Sequence, residues 1–198
     1  MKTISINTMK TVMTSVLAIV ILTGTSCNAN RGDIAKENKQ SQVSNVNPPD
    51  MDIHTAIVMG NLEVVRQHIK AGTNLNLKEP AGGSTPLITA VVFGKTEIAL
   101  ALIEAGADLN LKNNDGSTAL HSAAFFCRTE IVKALLGKGA DKNIRNNYGS
   151  TPLETVEAPF NDVKGIYDQI SRDLGPLGFK LDYARIEKTR PVIADMLR

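Results

Sequence analysis

Three histidines, two cysteines and three regularly placed serines are the side chains of this 198-residue sequence best equipped for chemistry. His54, His68 and His121 invite a metal site, but no Cys or carboxylate stands beside them at ligand spacing, so no metal is expected. Cys127 would need a positioned base to act as a nucleophile. The nearest candidate, His121, lies six residues earlier and falls on another side of the same short helix. Ser84, Ser117 and Ser150 have no acid–base pair at suitable spacing, and no glycine-rich phosphate loop follows a strand. Neither a catalytic site nor a cofactor is expected from these residues.

The serines recur for a different reason. Gly83, Gly116 and Gly149 precede them and are spaced 33 residues apart twice over, a period typical of a stacked repeat array. The second unit, Gly83–Asp115, reads GSTPLITAVVFGKTEIALALIEAGADLNLKNND. Thr85 is a good helix N-cap and Pro86 a good first helical residue, which predicts a short helix over about Pro86 to Phe93. Gly94 supplies a tight turn. A second helix then follows with Ile98, Leu102 and Ile103 as its apolar stripe, ending at Gly106. A segment rich in Asn, Asp and Gly turns outward before the next unit.

The wording G-S-T-P-L through A-G-A-D-L-N resembles the ankyrin repeat. The third unit, Gly116–Tyr148, matches position by position; the first, from about residue 50 to 82, is degenerate at its start and carries one extra residue in its finger. The fourth begins GSTPLETV and then departs, with Val163, Ile166, Tyr167 and Ile170 at helical spacing, a GPLG break at Gly175–Gly178, and further helix around Pro191. The resemblance implies an all-α solenoid of paired short helices with β-turn fingers over 50–198. The departing tail is expected to cap the last repeat, because a terminal repeat otherwise exposes an apolar face. It also implies that His54 and His121, which share a repeat position with Ile88 and Glu154, bond neighbouring backbone and threonine groups. His68, on an outer helix, is expected to be solvated. Cys127 replaces the turn glycine at Gly94's position, at a cost on the order of 1 kcal/mol for a left-handed non-glycine residue.

With no enzyme pattern, a surface remains. In the family, the residues ending each inner helix contribute to the concave binding face together with the finger tips. Here those residues are Val58 and Met59, Val92 and Phe93, and Phe125 and Phe126; the tips offer Asn114, Asp115, Asn147 and Tyr148. Stacking would align Met59, Phe93 and Phe126 as an apolar ladder. An exposed ladder marks a protein partner site; packed between repeats, the same side chains are ordinary core. The implied function is a monomeric protein–protein interaction module with a preformed groove. Inhibition or immunity by masking a partner, scaffolding of several partners, and catalysis by the tail from Asn161 are the alternatives.

The N-terminus bears on location. Lys2 and Lys10 precede the apolar run VMTSVLAIVIL, Val12 to Leu22, which is too short to span a bilayer and has the layout of a signal peptide. TGTSC then resembles a bacterial lipobox, with Cys27 as the residue that would be lipidated, although Gly24 stands where the pattern usually has Leu. Cleavage after Ala29 by an ordinary signal peptidase is the alternative. Residues 28–49, rich in Asn, Gln, Ser and Lys, are expected to form a flexible tether spanning about 25 Å. The leader's two lysines account for the formal charge of +2, leaving 20 basic against 20 acidic residues in the remainder. That balance argues against a nucleic-acid partner, which needs a basic surface. The expectation is export to the cell envelope, with the membrane touched only through the N-terminal lipid.

Overall fold

The computed structural model describes residues 47–198. The expectations for the leader, for Cys27 and for the tether as far as residue 46 fall outside the described residues. Within them the chain is all-α, as expected, with no strand. Three helix pairs come first: α1 (Ile53–Met59) with α2 (Leu62–Lys70), α3 (Pro86–Val92) with α4 (Thr96–Glu104), and α5 (Ala119–Phe125) with α6 (Thr129–Gly137). Helices of seven or nine residues are too short to persist alone, so each depends on its neighbours. Inner helices α1, α3 and α5 stack on one another, and outer helices α2, α4 and α6 do likewise. The shared core runs through Leu87 and Leu120 on the inner layer and Leu102 and Leu135 on the outer, each fully buried and contributing about 1.5–3 kcal/mol by its burial.

Local chemistry fixes the ends of each helix. Thr85 Oγ1 accepts the Ile88 amide at 3.3 Å, with Pro86 in the first turn where its missing N–H costs nothing. Gly94, at φ 65°, then reverses the chain, and the Lys95 amide closes the turn on Ala90 O at 2.9 Å. In the third unit Cys127 adopts φ 52° at the same place, making it the one non-glycine residue with positive φ among the described residues.

The fingers are stapled to one another. The Asn114 amide donates to Gly82 O and the Asn147 amide to Asp115 O, both at 2.9 Å. The side-chain amides of Asn114 and Asn147 reach back to Ala81 O at 3.2 Å and Asn114 O at 2.9 Å. This explains the recurring glycine. A Cβ on Gly83 would stand 2.2 Å from Asn114 Oδ1, and one on Gly116 would stand 2.4 Å from Asn147 Oδ1, while Gly149, with no finger beyond it, would meet nothing within 4 Å.

Repeat four is built differently. α7 (Glu154–Glu157) is a shortened inner helix, α8 (Phe160–Leu174) leaves the array, a 3₁₀ turn (Gly175–Leu177) breaks it, and α9 (Tyr183–Leu197) returns to pack on α5, α6 and α7. The second half of α9 supplies the missing outer helix. Ile193, Ala194 and Leu197 are buried with the spacing of Ile98, Ala99 and Leu102, and Pro191 then falls where Thr96 opens the outer helix of unit two. The tail therefore completes the last repeat by way of a long insertion.

The glycine geometry makes a stability comparison decisive. Gly149→Ala should cost about 1 kcal/mol, the price of a left-handed alanine. Gly116→Ala carries the same strain and also collides with Asn147, so it should cost at least about 2 kcal/mol more. Equal shifts in the urea midpoint at an unchanged m-value would show that the collision is relieved freely.

Candidate functional site

The side chains ending the inner helices do align, but they are not equally exposed. Met59 is 67% exposed, Val58, Val92, Phe93 and Phe125 are half-buried, and Phe126 is 5% exposed. Of the two alternatives left open by the sequence, neither holds along the whole ladder: it is open at repeat one and closed at repeat three. The cause is the chain's own insertion. Tyr167 of α8 stacks on Phe125 with ring centroids 4.4 Å apart and donates its hydroxyl to Phe125 O at 2.6 Å. Phe179 sits edge-on to both Phe93, at 6.0 Å, and Phe126, at 5.6 Å. The ordinary-core alternative therefore describes Phe126, and the surface alternative describes Met59.

Arginines secure this cover. Arg190, buried in α9, donates Nη1 to Tyr167 Oη at 2.9 Å and Nη2 to Ala158 O and Thr155 O at 2.8 and 3.2 Å. Its charge meets carbonyl and hydroxyl dipoles in place of a carboxylate. Arg185 donates to Cys127 O at 2.8 Å, and Arg128 donates to Val92 O at 3.2 Å. Arg128 lies over the Phe126 ring at 5.9 Å, and burial, reinforced by Arg185, lowers its pKa to about 10. Tyr167, Phe179, Arg185 and Arg190 were not singled out for these roles from the sequence.

The finger tips divide between architecture and surface. Asn114 and Asn147 are exposed yet committed to the staples, leaving only part of each for a partner. Tyr148 donates its hydroxyl to Asp115 Oδ1 at 3.4 Å. Burial raises the pKa of Asp115, and burial with the adjacent carboxylate pushes Tyr148 up to about 12. This pair is half-buried and forms a small polar edge beside the staple that the Asn147 amide makes to Asp115 O.

The histidines and the thiol have structural explanations. His54 Nδ1 lies 3.1 Å from Thr89 Oγ1 and its Nε2 3.2 Å from Leu77 O, the bonding the resemblance implies. His121 Nδ1 accepts the Thr118 amide at 3.2 Å, so the proton sits on Nε2 and is donated to Ser150 O at 3.0 Å. The expectation that His68 is solvated is overturned. It is buried, with Nδ1 3.1 Å from Thr73 Oγ1 and Nε2 2.8 Å from Met51 O, because it occupies the position of Leu102 and Leu135 in the outer layer. Burial pushes the Cys127 thiol up to about 11, and no base accompanies it, so it is held in its unreactive form. Among the described residues no cluster of His, Cys, Asp or Glu is arranged to hold a metal ion. A groove of about 460 Å³ between α7, α8 and α9 is walled by Glu157, Glu187 and Arg198, with Glu157 and Arg198 paired at 3.5 Å.

Helix pairs repeating every 33 residues, linked by glycine turns and stapled fingers, meet a family model described as ankyrin repeats, three copies, over residues 53–153. The chain belongs to the ankyrin-repeat family. No curated protein is matched by the sequence. Ankyrin repeats make this chain a protein–protein interaction module, in a family typically without enzymatic activity.

Two consequences are measurable. Phe126→Ala should cost about 3–5 kcal/mol, as for a buried aromatic, whereas Met59→Ala should stay within about 0.5 kcal/mol. Comparable losses would mean that Met59 is covered in solution. His121 has its pKa lowered chiefly by burial from an ordinary 6.5. Its neutral form therefore contributes stability that is present above pH 6.5 and is lost as pH falls toward the lowered folded value. Unfolding free energies at pH 7.5 and 5.5 should differ less for His121→Gln than for the wild type; an identical difference would remove His121 from the acid response.

Proposed function

We propose that this ankyrin-repeat chain is an exported module that binds a partner protein in the cell envelope. Binding would use the open end of the inner-helix ladder, around Val58, Met59, Val92 and Phe93, with support from the finger tips at Asp115 and Tyr148. The observation that carries the reading is Met59: a large apolar side chain left 67% exposed at the end of a ladder that is half-buried at Phe93 and closed at Phe126. A stacked array with stapled fingers offers a preformed surface, so docking orders little of this chain. Export rests on the leader pattern of Lys2, Lys10 and the run Val12 to Leu22, and anchoring on lipidation of Cys27. The protein would act as a monomer.

Masking of a partner's active surface is the more concrete form of this proposal. A rigid surface with one open rung suits a single one-to-one complex better than the simultaneous capture of several proteins. The tail's role in completing repeat four leaves tail catalysis without a supporting observation.

The test is affinity capture from envelope extract with the full chain, wild type against Met59→Asp, read by mass spectrometry and followed by stoichiometry of the purified complex. One protein held by the wild type at one to one and lost from a variant with unchanged thermal unfolding is the expected outcome. No specific capture by either would sink the envelope-partner reading.

A further inference from the structure

The ladder displays one filled slot and one open one, and the filled slot shows what fits. Phe179 lies edge-on to Phe93 and Phe126, the inner-helix end residues of repeats two and three. It arrives on a short non-helical segment following the Gly175–Leu177 turn, with Gly178 at φ 83° directing it inward. One repeat toward the N-terminus, Met59 and Phe93 occupy the same two repeat positions. Met59 is 67% exposed there, with the Lys95 side chain alongside the adjacent Gly60.

We infer that the slot between Met59 and Phe93 receives an aromatic side chain from the partner protein, delivered on an extended, acid-bearing segment in the way the chain delivers its own Phe179 to the next slot. The inference rests on the interaction-module reading and specifies its site. Three observations favour this occupant. The open slot is continuous with an interface already formed, since Phe93 is a wall of both. An aromatic ring there would meet Phe93 edge-on and the flexible thioether of Met59, both favourable contacts for a π-system. The rim supplies charge: Lys95 Nζ lies 3.2 Å from where a Cβ on Gly60 would stand, and no carboxylate pairs with it among the described residues. In the filled slot the corresponding cation, Arg128, is turned onto Phe126 and Val92 O. Lys95 is therefore the cation left to meet a carboxylate flanking the incoming ring.

The test uses the full chain with methyl-labelled methionine and a synthetic peptide copying Leu174–Asp182 with Lys180→Glu, which carries the aromatic and a carboxylate flanking it. A second peptide with Ala in place of the Phe is the control. The Met59 methyl resonance should shift saturably with the first peptide, at least tenfold more weakly with the control, and the resonances of Met51 and Met196 should stay in place. Lys95→Glu should weaken the response several-fold, and Met59→Asp should abolish peptide binding with the fold intact by circular dichroism. No shift, or equal shifts with both peptides, overturns the inference. Binding seen only when Phe179→Ala empties the neighbouring slot also overturns it. So does a Met59 shift that follows protein concentration alone together with a sedimenting dimer, which would give the slot to a second copy. A partner captured equally by wild type and Met59→Asp would leave the interaction module standing and remove only this slot.

Discussion

Everything in this molecule depends on contact between consecutive units, because no unit can hold itself. A seven-residue helix beside a nine-residue one buries little alone, and its ends leave amides and carbonyls without partners. The bonds that settle the relative placement of two units are few: the finger amide to the previous finger's carbonyl at 2.9 Å, repeated at Asn114 and Asn147. A second set runs in parallel, with the Asp108 amide on Asn76 Oδ1 and the Asp141 amide on Asn110 Oδ1, both at 2.9 Å. Because both sets link equivalent positions of neighbouring units, slipping one unit by a residue would break both at once. The fixed period is thus a geometric requirement, and the glycines at Gly83 and Gly116 follow from it.

The fourth unit shows how far that requirement can be relaxed. A regular unit turns from inner to outer helix through Phe93, Gly94 and Lys95. Here the chain leaves after α7, lays α8 and Phe179 against the helix ends of earlier units, and resumes the outer-helix register within α9. Such an excursion needs its own anchor. Arg190 provides one by bonding α8 through Tyr167 and the end of the inner layer through Thr155 and Ala158. Burying a guanidinium without a carboxylate is tolerable because three oriented acceptors take its hydrogens. Removing Tyr167 would strip one of those acceptors as well as the ring that covers Phe125.

What the sequence made legible follows the same division. Wherever a residue answers to the repeat, its role was readable: Thr85 and Pro86 start a helix, Ile98, Leu102 and Ile103 face the core, and Cys127 bends where glycine bends. His68 is readable in principle, since it shares a position with two buried leucines, but its polarity masks its register. Val163, Ile166, Tyr167 and Ile170 declared an amphipathic helix, and all four are buried. What they pack against was not legible, because a departure from the period carries no register with which to place it. For the same reason the ladder's residues were identified while their exposure was not.

That asymmetry has a functional side. Phe179 and Tyr167 close the C-terminal part of the ladder at a fixed distance from α9, and the insertion's reach ends at Phe93. A longer excursion would have covered Met59 as well, and a regular turn would have left all the rungs bare. A fully bare ladder of large apolar side chains would be a broad association surface, prone to nonspecific contacts. Covering the Phe126 end narrows the exposed part to the Met59 end, beside Lys95, which has no carboxylate partner among the described residues. Specificity at such a site comes from what it refuses: a partner without a ring to meet Phe93, or with a cation beside Lys95, gains little from docking there.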